Sequence, residues 1–388
     1  MSKAQVGVIG VGNMGSKYAQ LISDGEIEGL ELAAVTRVRP EYREKIQAAL
    51  DGGLRVYESA DALFTAVEQG ELSLDAVVIA TPHYAHEEQA VRAFKNGLHV
   101  LCDKPAGVYS RQARQIGEAL AKSDKKLVYS MVFNQRTNPV YRRMKELVES
   151  GRYGRIKRVN WVVTDWYRPD FYYTSSSWRA TWDKDGGGIL LNQCPHNLDL
   201  LQWICGVPSR VQAFCHEGKY HPIQVEDDMT AYLEWEDGAT GVFMSSTGEA
   251  AGVNRFEISL EDALLVCEGG ALRVCEVADA LGMKEEEYRR TSTEPFPKVK
   301  GTWHTEECGR EDAPYRVILQ GYADAIAGKG EPVAWGEEGR YSLYLSNAIY
   351  LSSWQKKMVE LPTPDTEEEL RFEKAFEEGL QKKIEQYS

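Results

Sequence analysis

The chain has 388 residues, 43% hydrophobic and 27% charged, with a formal net charge of −14. That length suits two domain-sized cores, and the composition is that of a globular protein and not of a disordered or fibrous one. The acidic balance disfavours nucleic acid and anionic membrane as partners. No apolar run reaches the roughly 18 residues of a bilayer span. Seven cysteines without a repeated spacing argue against a secreted disulfide framework. The chain opens on a strand-like segment where a signal peptide would carry a charged and then an apolar region, so a cytoplasmic protein is expected.

Over the first third, short apolar runs alternate with helical patterns, the mark of a parallel sheet. Strands are predicted at 4–9, 30–36, 54–57, 74–80, 98–102 and 127–131, and helices at 13–23, 40–50, 59–69, 84–96 and 108–123. The first strand runs into Gly10-Val11-Gly12-Asn13-Met14-Gly15, the G-x-G-x-x-G spacing of a dinucleotide-binding turn. Gly10 permits the tight turn, Gly12 admits a pyrophosphate to the backbone, and Gly15 lets helix and strand pack closely. The helix opening at Asn13 and Met14 offers N–H groups and a positive dipole end to phosphates. In open parallel sheets ligands bind beyond the carboxyl ends of the strands. Gly10, Thr36-Arg37, Thr81-Pro82 and Asp103-Lys104 are therefore expected to line one crevice.

After about residue 130 the pattern changes to alternating strands at 156–164, 209–217, 228–236, 239–246 and 254–275, preceded by a helix at 138–150. A second, mainly antiparallel domain spanning 131–388 is predicted, an open sheet with helices on one face, after a first domain of 1–130. The run 281–312 reads as an exposed polar insertion, followed by helices at 313–328 and 338–355 and a charged helix at 366–386.

Three stretches carry chemistry. Lys104, at the end of a parallel strand and fixed by Pro105, can hydrogen-bond a substrate hydroxyl and serve as acid or base. Gly186-Gly187-Gly188 leads into Asn192, His196 and Asp199, which share one face at helical spacing, although Pro195 leaves open that Asn192 is an N-cap. Between them, Tyr167, Arg168, Trp178 and Arg179 belong to an aromatic and basic loop suited to stacking on a sugar and bonding its hydroxyls. No metal site is expected: His216, His221, Asp227 and Asp228 lack a zinc spacing.

With these residues the chain resembles the Gfo/Idh/MocA oxidoreductases over nearly its whole length. The shared features are the glycine turn, Ala80-Thr81-Pro82 followed by His86, Asp103-Lys104-Pro105, the triple glycine, His196-Asn197-Leu198-Asp199, the Asp-Gly-Ala-Thr-Gly hairpin and a Gly-Glu-Glu-Gly at 336–339. The resemblance implies an α/β protein with an N-terminal Rossmann doubly wound sheet and a C-terminal α+β domain whose open sheet pairs copies into a dimer or tetramer. It implies oxidation of a sugar, polyol or sugar derivative by NAD(P), with Lys104 and His196 flanking the carbinol and cofactor contacts that include His83 and His86. Asn192, Asp199, Tyr167, Arg168, Trp178 and Arg179 are the expected substrate contacts.

Two departures stand out. Asn192 replaces the family's usual Asp and cannot take a proton, which leaves acid–base work to Lys104 and His196. Arg37, with Arg39 nearby, stands where NAD enzymes carry an acid for the ribose 2′-OH, and arginine suits a 2′-phosphate, so NADP(H) is favoured. Alternatives in the same superfamily are a redox glycosidase acting through a transient keto-sugar and a non-catalytic cofactor-sensing regulator.

Overall fold

A computed structural model describes residues 3–123 and 126–387. These divide into two compact units, Met1–Thr137 with Lys184–Gly186 and Asp312–Leu343, and Asn138–Asp183 with Gly187–Glu311 and Tyr344–Ser388.

In the first unit, β1 (Ala4–Ile9), β2 (Leu30–Thr36), β3 (Arg55–Tyr57), β4 (Ala76–Ile79), β5 (His99–Cys102) and β6 (Tyr129–Met131) form a sheet ordered β3-β2-β1-β4-β5-β6. Every neighbouring pair is parallel, as the alternating pattern anticipated, and the order is the doubly wound one that the resemblance implies. Such a sheet must be covered on both faces, which is why Val77, Val78, Val100 and Leu101 are all fully buried. The helix Asn13–Ser23 contributes Tyr18, Ala19 and Ile22 to one of its cores.

The boundary expected at 130 is displaced, and a later segment returns to this unit. Helix Pro314–Ile326 inserts Ile318, Leu319 and Tyr322 into the core formed by Val6, Val8, Val35 and Val78. The sequence pattern of that helix shows an apolar stripe but not which sheet it covers. The helix expected at 40–50 is a 3-10 segment, Pro40–Ile46, followed by the short helix Gln47–Asp51.

The second unit holds β7 (Ile156–Val163), β8 (Arg210–Glu217), β9 (Glu226–Glu234), β10 (Thr240–Ser246), β11 (Asn254–Leu260), β12 (Ala263–Glu268), β13 (Ala271–Glu276), β14 (Thr302–Glu306) and β15 (Val359–Glu360). Their order is β14-β13-β12-β11-β7-β10-β9-β8-β15, with β7 and β10 parallel and the other pairs antiparallel. Within 281–312, read from sequence as an exposed polar insertion, β14 adds the outermost strand beside β13 and is itself largely exposed.

Alternation along the strands decides the two faces. Inward, Trp161 stacks on Phe256 with ring centroids 4.0 Å apart and meets Phe243 edge-on at 6.1 Å. Outward, cross-strand neighbours Phe214, Thr230 and Met244 form one row and Gln212, Tyr232 and Val242 the next, with Phe214 59% exposed. The charged helix Glu367–Tyr387 docks through Phe372, Phe376 and Leu380, with Phe376 stacked on Trp354 at 5.5 Å. Among the described residues, no helix is long and apolar enough to cross a membrane.

Candidate functional site

The parallel order of the first sheet brings the carboxyl ends of β1, β2, β4 and β5 to one edge. Gly10 turns the chain there with φ +91°. A Cβ on Gly15 would lie 2.1 Å from the Gly10 carbonyl oxygen, so the helix Asn13–Ser23 closes on the turn only because residue 15 has no side chain. Gly12 caps that helix without a side-chain hydrogen bond, and the first-turn N–H groups of Asn13 and Met14 have no intrahelical acceptor. An open backbone cradle at a positive helix end fits a dinucleotide pyrophosphate.

The end of β2 is tied to this turn. Buried Thr36 accepts the Gly10 N–H through Oγ1 at 3.0 Å and the Val11 N–H through its carbonyl at 3.1 Å. Arg37 follows, exposed and with φ +49°. Arg39 donates its N–H to the Val11 carbonyl at 3.2 Å, and its guanidinium carbon lies 4.0 Å from the point a Cβ on Gly12 would occupy. Arg39 therefore stands directly beside Gly12, while the Arg37 N–H is held by the Tyr57 carbonyl at 3.1 Å.

Beyond β4, the Thr81 hydroxyl donates to Gln89 at 2.8 Å, and Pro82 leads into the turn His83–Ala85. His86 is buried, its Nδ1 2.8 Å from the Pro105 carbonyl and its Nε2 2.8 Å from the Thr81 carbonyl. It clamps the loop after β4 to the loop after β5, and burial lowers its pKa. His83 is likewise buried, with Nδ1 3.1 Å from the Asp185 carbonyl. Both histidines were expected as cofactor contacts. Both ring nitrogens of His86 and Nδ1 of His83 face protein acceptors, so the structure shows them holding the strand-end loops.

Asp103 accepts the Lys104 N–H at 2.8 Å and the Tyr18 hydroxyl at 3.2 Å. Burial raises its pKa, opposed by the charges of Lys104 and His86. Lys104, half-buried, precedes a cis bond to Pro105 and stands on the same strand-end edge as the glycine turn.

In the second unit the helix expected through Asn192, His196 and Asp199 is broken. Ile189–Asn192 is a single turn, and a separate helix, Pro195–Cys205, begins with Cys194 as its cap and Pro195 in its first turn. Proline lacks an N–H to continue the first helix, so Asn192 neither caps the second nor shares a face with His196. His196 is half-buried at the start of the second helix. Asp199 is only 1% exposed and accepts from the Gln202 amide at 3.1 Å, so it is an internal acceptor in place of the presented contact expected.

Asn192 instead belongs to a cluster centred on Tyr172, which sequence reasoning passed over. The Tyr172 hydroxyl donates to Asn192 Oδ1 at 3.1 Å and receives Arg179 at 2.7 Å and Gln193 at 3.1 Å. The guanidinium of Arg179 lies over the rings of Tyr172 and Trp178, and that of Arg168 over those of Tyr172 and Trp166. Of the four loop residues expected, Arg168, Trp178 and Arg179 come together here, and Tyr167, with an exposed side chain, joins through its carbonyl, which receives Arg168. Only a run of aromatics signals Tyr172 in sequence, and Tyr167 has the same signal.

The glycine block is explained by Glu226. A Cβ on Gly188 would lie 2.0 Å from the Glu226 carbonyl oxygen, and one on Gly187 2.2 Å from the Tyr350 hydroxyl. The buried Glu226 carboxyl accepts the N–H groups of Gly188 (3.0 Å) and Leu190 (2.9 Å) and the Tyr350 hydroxyl (2.7 Å). His221 bridges Asp227 and the Arg168 carbonyl, at 3.0 and 2.8 Å, which is a loop-holding role.

Burial raises the Glu226 pKa from 4.5 to about 7, against the pull of those three donors. A carboxyl shifted upward on folding stabilises fully below its unfolded value, and that contribution is lost as pH rises through the folded value. Between pH 5 and 8 the native protein should therefore lose stability on the order of 3 kcal/mol from this group. Replacing Glu226 with Gln removes the titration, so the variant's melting temperature should fall less over that interval than the wild type's. Equal falls in a pair of thermal melts would show that Glu226 does not titrate there.

Comparison with known proteins agrees with this geometry. Residues 4–131 match the model of an oxidoreductase family with an NAD-binding Rossmann fold, and residues 141–266 match the GFO/IDH/MocA C-terminal domain. The rhizopine catabolism protein MocA of Rhizobium meliloti is 24% identical over 316 residues, 72% of this chain and 92% of its own length. Inositol 2-dehydrogenase of Streptomyces avermitilis is 38% identical over 201 residues, 52% of this chain and 53% of its own. The WlbA dehydrogenase of Bordetella pertussis, solved with NADH and UDP-GlcNAcA, superposes with a TM-score of 0.74 at 26% identity, covering 93% of this chain and 99% of that one. A glycine cradle on a six-stranded parallel sheet, joined to a nine-stranded open sheet and matched by both domain models, makes this chain a member of the Gfo/Idh/MocA family of NAD-binding oxidoreductases.

Proposed function

We propose that the chain moves hydride between a nicotinamide dinucleotide and a secondary hydroxyl or keto group of a sugar, polyol or sugar derivative. The observation that carries this is Lys104 at the carboxyl end of β5, on the same sheet edge as the Gly10–Gly15 cradle. The similarity to inositol 2-dehydrogenase and WlbA supports a polyol-like substrate.

When bound, the nicotinamide supplies the hydride acceptor or donor. Asn13 and Met14 hold phosphate at the helix start, and Gly12 leaves room for it. Lys104 bonds the reacting hydroxyl and passes its proton on, with His196 as the second acid–base group. Asn192 cannot share that task. Its Oδ1 holds the Tyr172 hydroxyl, so it orients the aromatic cluster. His86 positions Lys104 through the Pro105 carbonyl. The protein supplies placement and proton transfer, and the redox chemistry belongs to the cofactor.

The choice of cofactor falls to NADP(H) in this reading. Arg37 occupies the end of β2 where an acid would hold the ribose 2′-OH, and Arg39 adds a second guanidinium beside Gly12. Copies pair through the outer face of the second sheet, where Phe214, Tyr232 and Met244 are exposed in adjacent strands. Seven free thiols suit a cytoplasmic location.

Replacing Lys104 with Ala should lower kcat by about 100-fold or more while leaving cofactor affinity within about threefold. Unchanged turnover in a polyol screen would remove Lys104 from the chemistry, and an unaffected biological role would favour a regulator. Replacing Arg37 with Asp should reduce the NADPH-over-NADH advantage in thermal stabilisation by about tenfold in Kd. A wild type stabilised more by NADH would refute the NADP assignment. Sedimentation should show a smaller species for Phe214→Asp combined with Met244→Asp, and an unchanged one would exclude this face as the interface.

A further inference from the structure

Several arginines in this acidic chain meet carboxylates. Arg92 pairs with Asp61 and Glu68, Arg255 with Glu257 and Glu268, and buried Arg136 with Glu338. Arg168 and Arg179 do not. Both guanidiniums lie against the one Tyr172 ring, at 5.0 and 4.4 Å from its centroid. Their protein acceptors are neutral, the Tyr167 carbonyl and the Tyr172 hydroxyl, and among the described residues neither reaches a carboxylate within ion-pair distance.

The surroundings are rich in donors. The Nε–H of Arg179 and the indole N–H of Trp166 are buried with no acceptor in the protein. Two of the cluster's acceptors are already engaged: Asn192 Oδ1 receives Tyr172 and Gln193, and the Tyr172 oxygen receives Arg179 and Gln193. Two like charges in a half-buried cluster are costly unless a counter-charge joins them. A sugar hydroxyl needs both to donate and to accept, and this cluster has little left to accept with. A group that only accepts completes it.

We propose that the substrate is an anionic sugar or polyol, its carboxylate or phosphate gripped by Arg168 and Arg179 over the Tyr172 ring. This rests on the dehydrogenase reading above and names its substrate class.

The test is calorimetric binding to the full-length protein with saturating NADP⁺, using D-glucose, D-glucuronate and D-glucose 6-phosphate, then D-galactose and D-galacturonate. At least one anion should bind about tenfold tighter than its neutral parent. That preference should shrink to within about threefold in Arg168→Gln and in Arg179→Gln, with NADP⁺ affinity retained. Which arm wins distinguishes carboxylate from phosphate. Neutral sugars binding as tightly as their anions, a preference that survives both substitutions, or no saturable binding below about 10 mM would each overturn the proposal. Binding is read apart from turnover, so anion binding without nicotinamide reduction would sink the dehydrogenase reading while leaving the anion site standing.

Discussion

One close backbone approach underlies the cofactor half of this protein. The helix after β1 can point its N-terminus at the sheet edge only if Gly15 sits against the Gly10 carbonyl, where any Cβ would stand 2.1 Å from the oxygen. That contact sets the height of the first-turn N–H groups above the sheet. Thr36 then fixes the turn sideways by accepting from both Gly10 and Val11. The chain leaving β2 passes beside this turn, where the Arg39 N–H bonds the Val11 carbonyl and its guanidinium stands next to Gly12. His86 performs a comparable service across β4 and β5, since two carbonyls from different loops converge on one ring.

The second unit is organised by hydroxyl groups instead. Tyr350 and Tyr172 each work through an oxygen that both donates and accepts. Tyr350 donates to Glu226, whose carboxyl in turn anchors the N–H groups at the start of the turn Ile189–Asn192. The end of that same turn presents Asn192 to Tyr172. A buried carboxyl therefore holds one end of a four-residue helix and the aromatic cluster holds the other. A turn too short to be stable alone is fixed at both ends by tertiary contacts.

Much of this was legible in the sequence where a residue type has one physical use. Alternation of apolar runs with amphipathic segments, and the glycine spacing, determine the parallel sheet and its cradle without reference to distant residues. Lys104 at a strand end is legible for the same reason. What depended on distant partners was not. Nothing in Gly186-Gly187-Gly188 names Glu226 or Tyr350, and the apolar stripe of 314–326 does not say that it covers the first sheet. β14 escaped because an exposed edge strand has little apolar alternation to detect. Helical spacing puts Asn192 and His196 on one face and Pro195 leaves an N-cap open, but Pro195 ends one helix and starts another with Cys194 as its cap, so neither holds.

The departure at Asn192 and the uncompensated arginines are one feature seen from two sides. Arg179 reaches Asn192 through a single shared hydroxyl, that of Tyr172. An aspartate at 192, the residue usual in the family, would accept from the same hydroxyl and bring a negative charge one hydrogen bond from the guanidinium. At that separation, in a half-buried cluster, it would neutralise much of the field that Arg168 and Arg179 create. The amide keeps the hydrogen bond and withholds the charge. Asparagine therefore does more than fail to take a proton: it leaves the cationic pair available to a ligand. An enzyme that needs its negative charge on the substrate has reason not to keep one at this position in the protein.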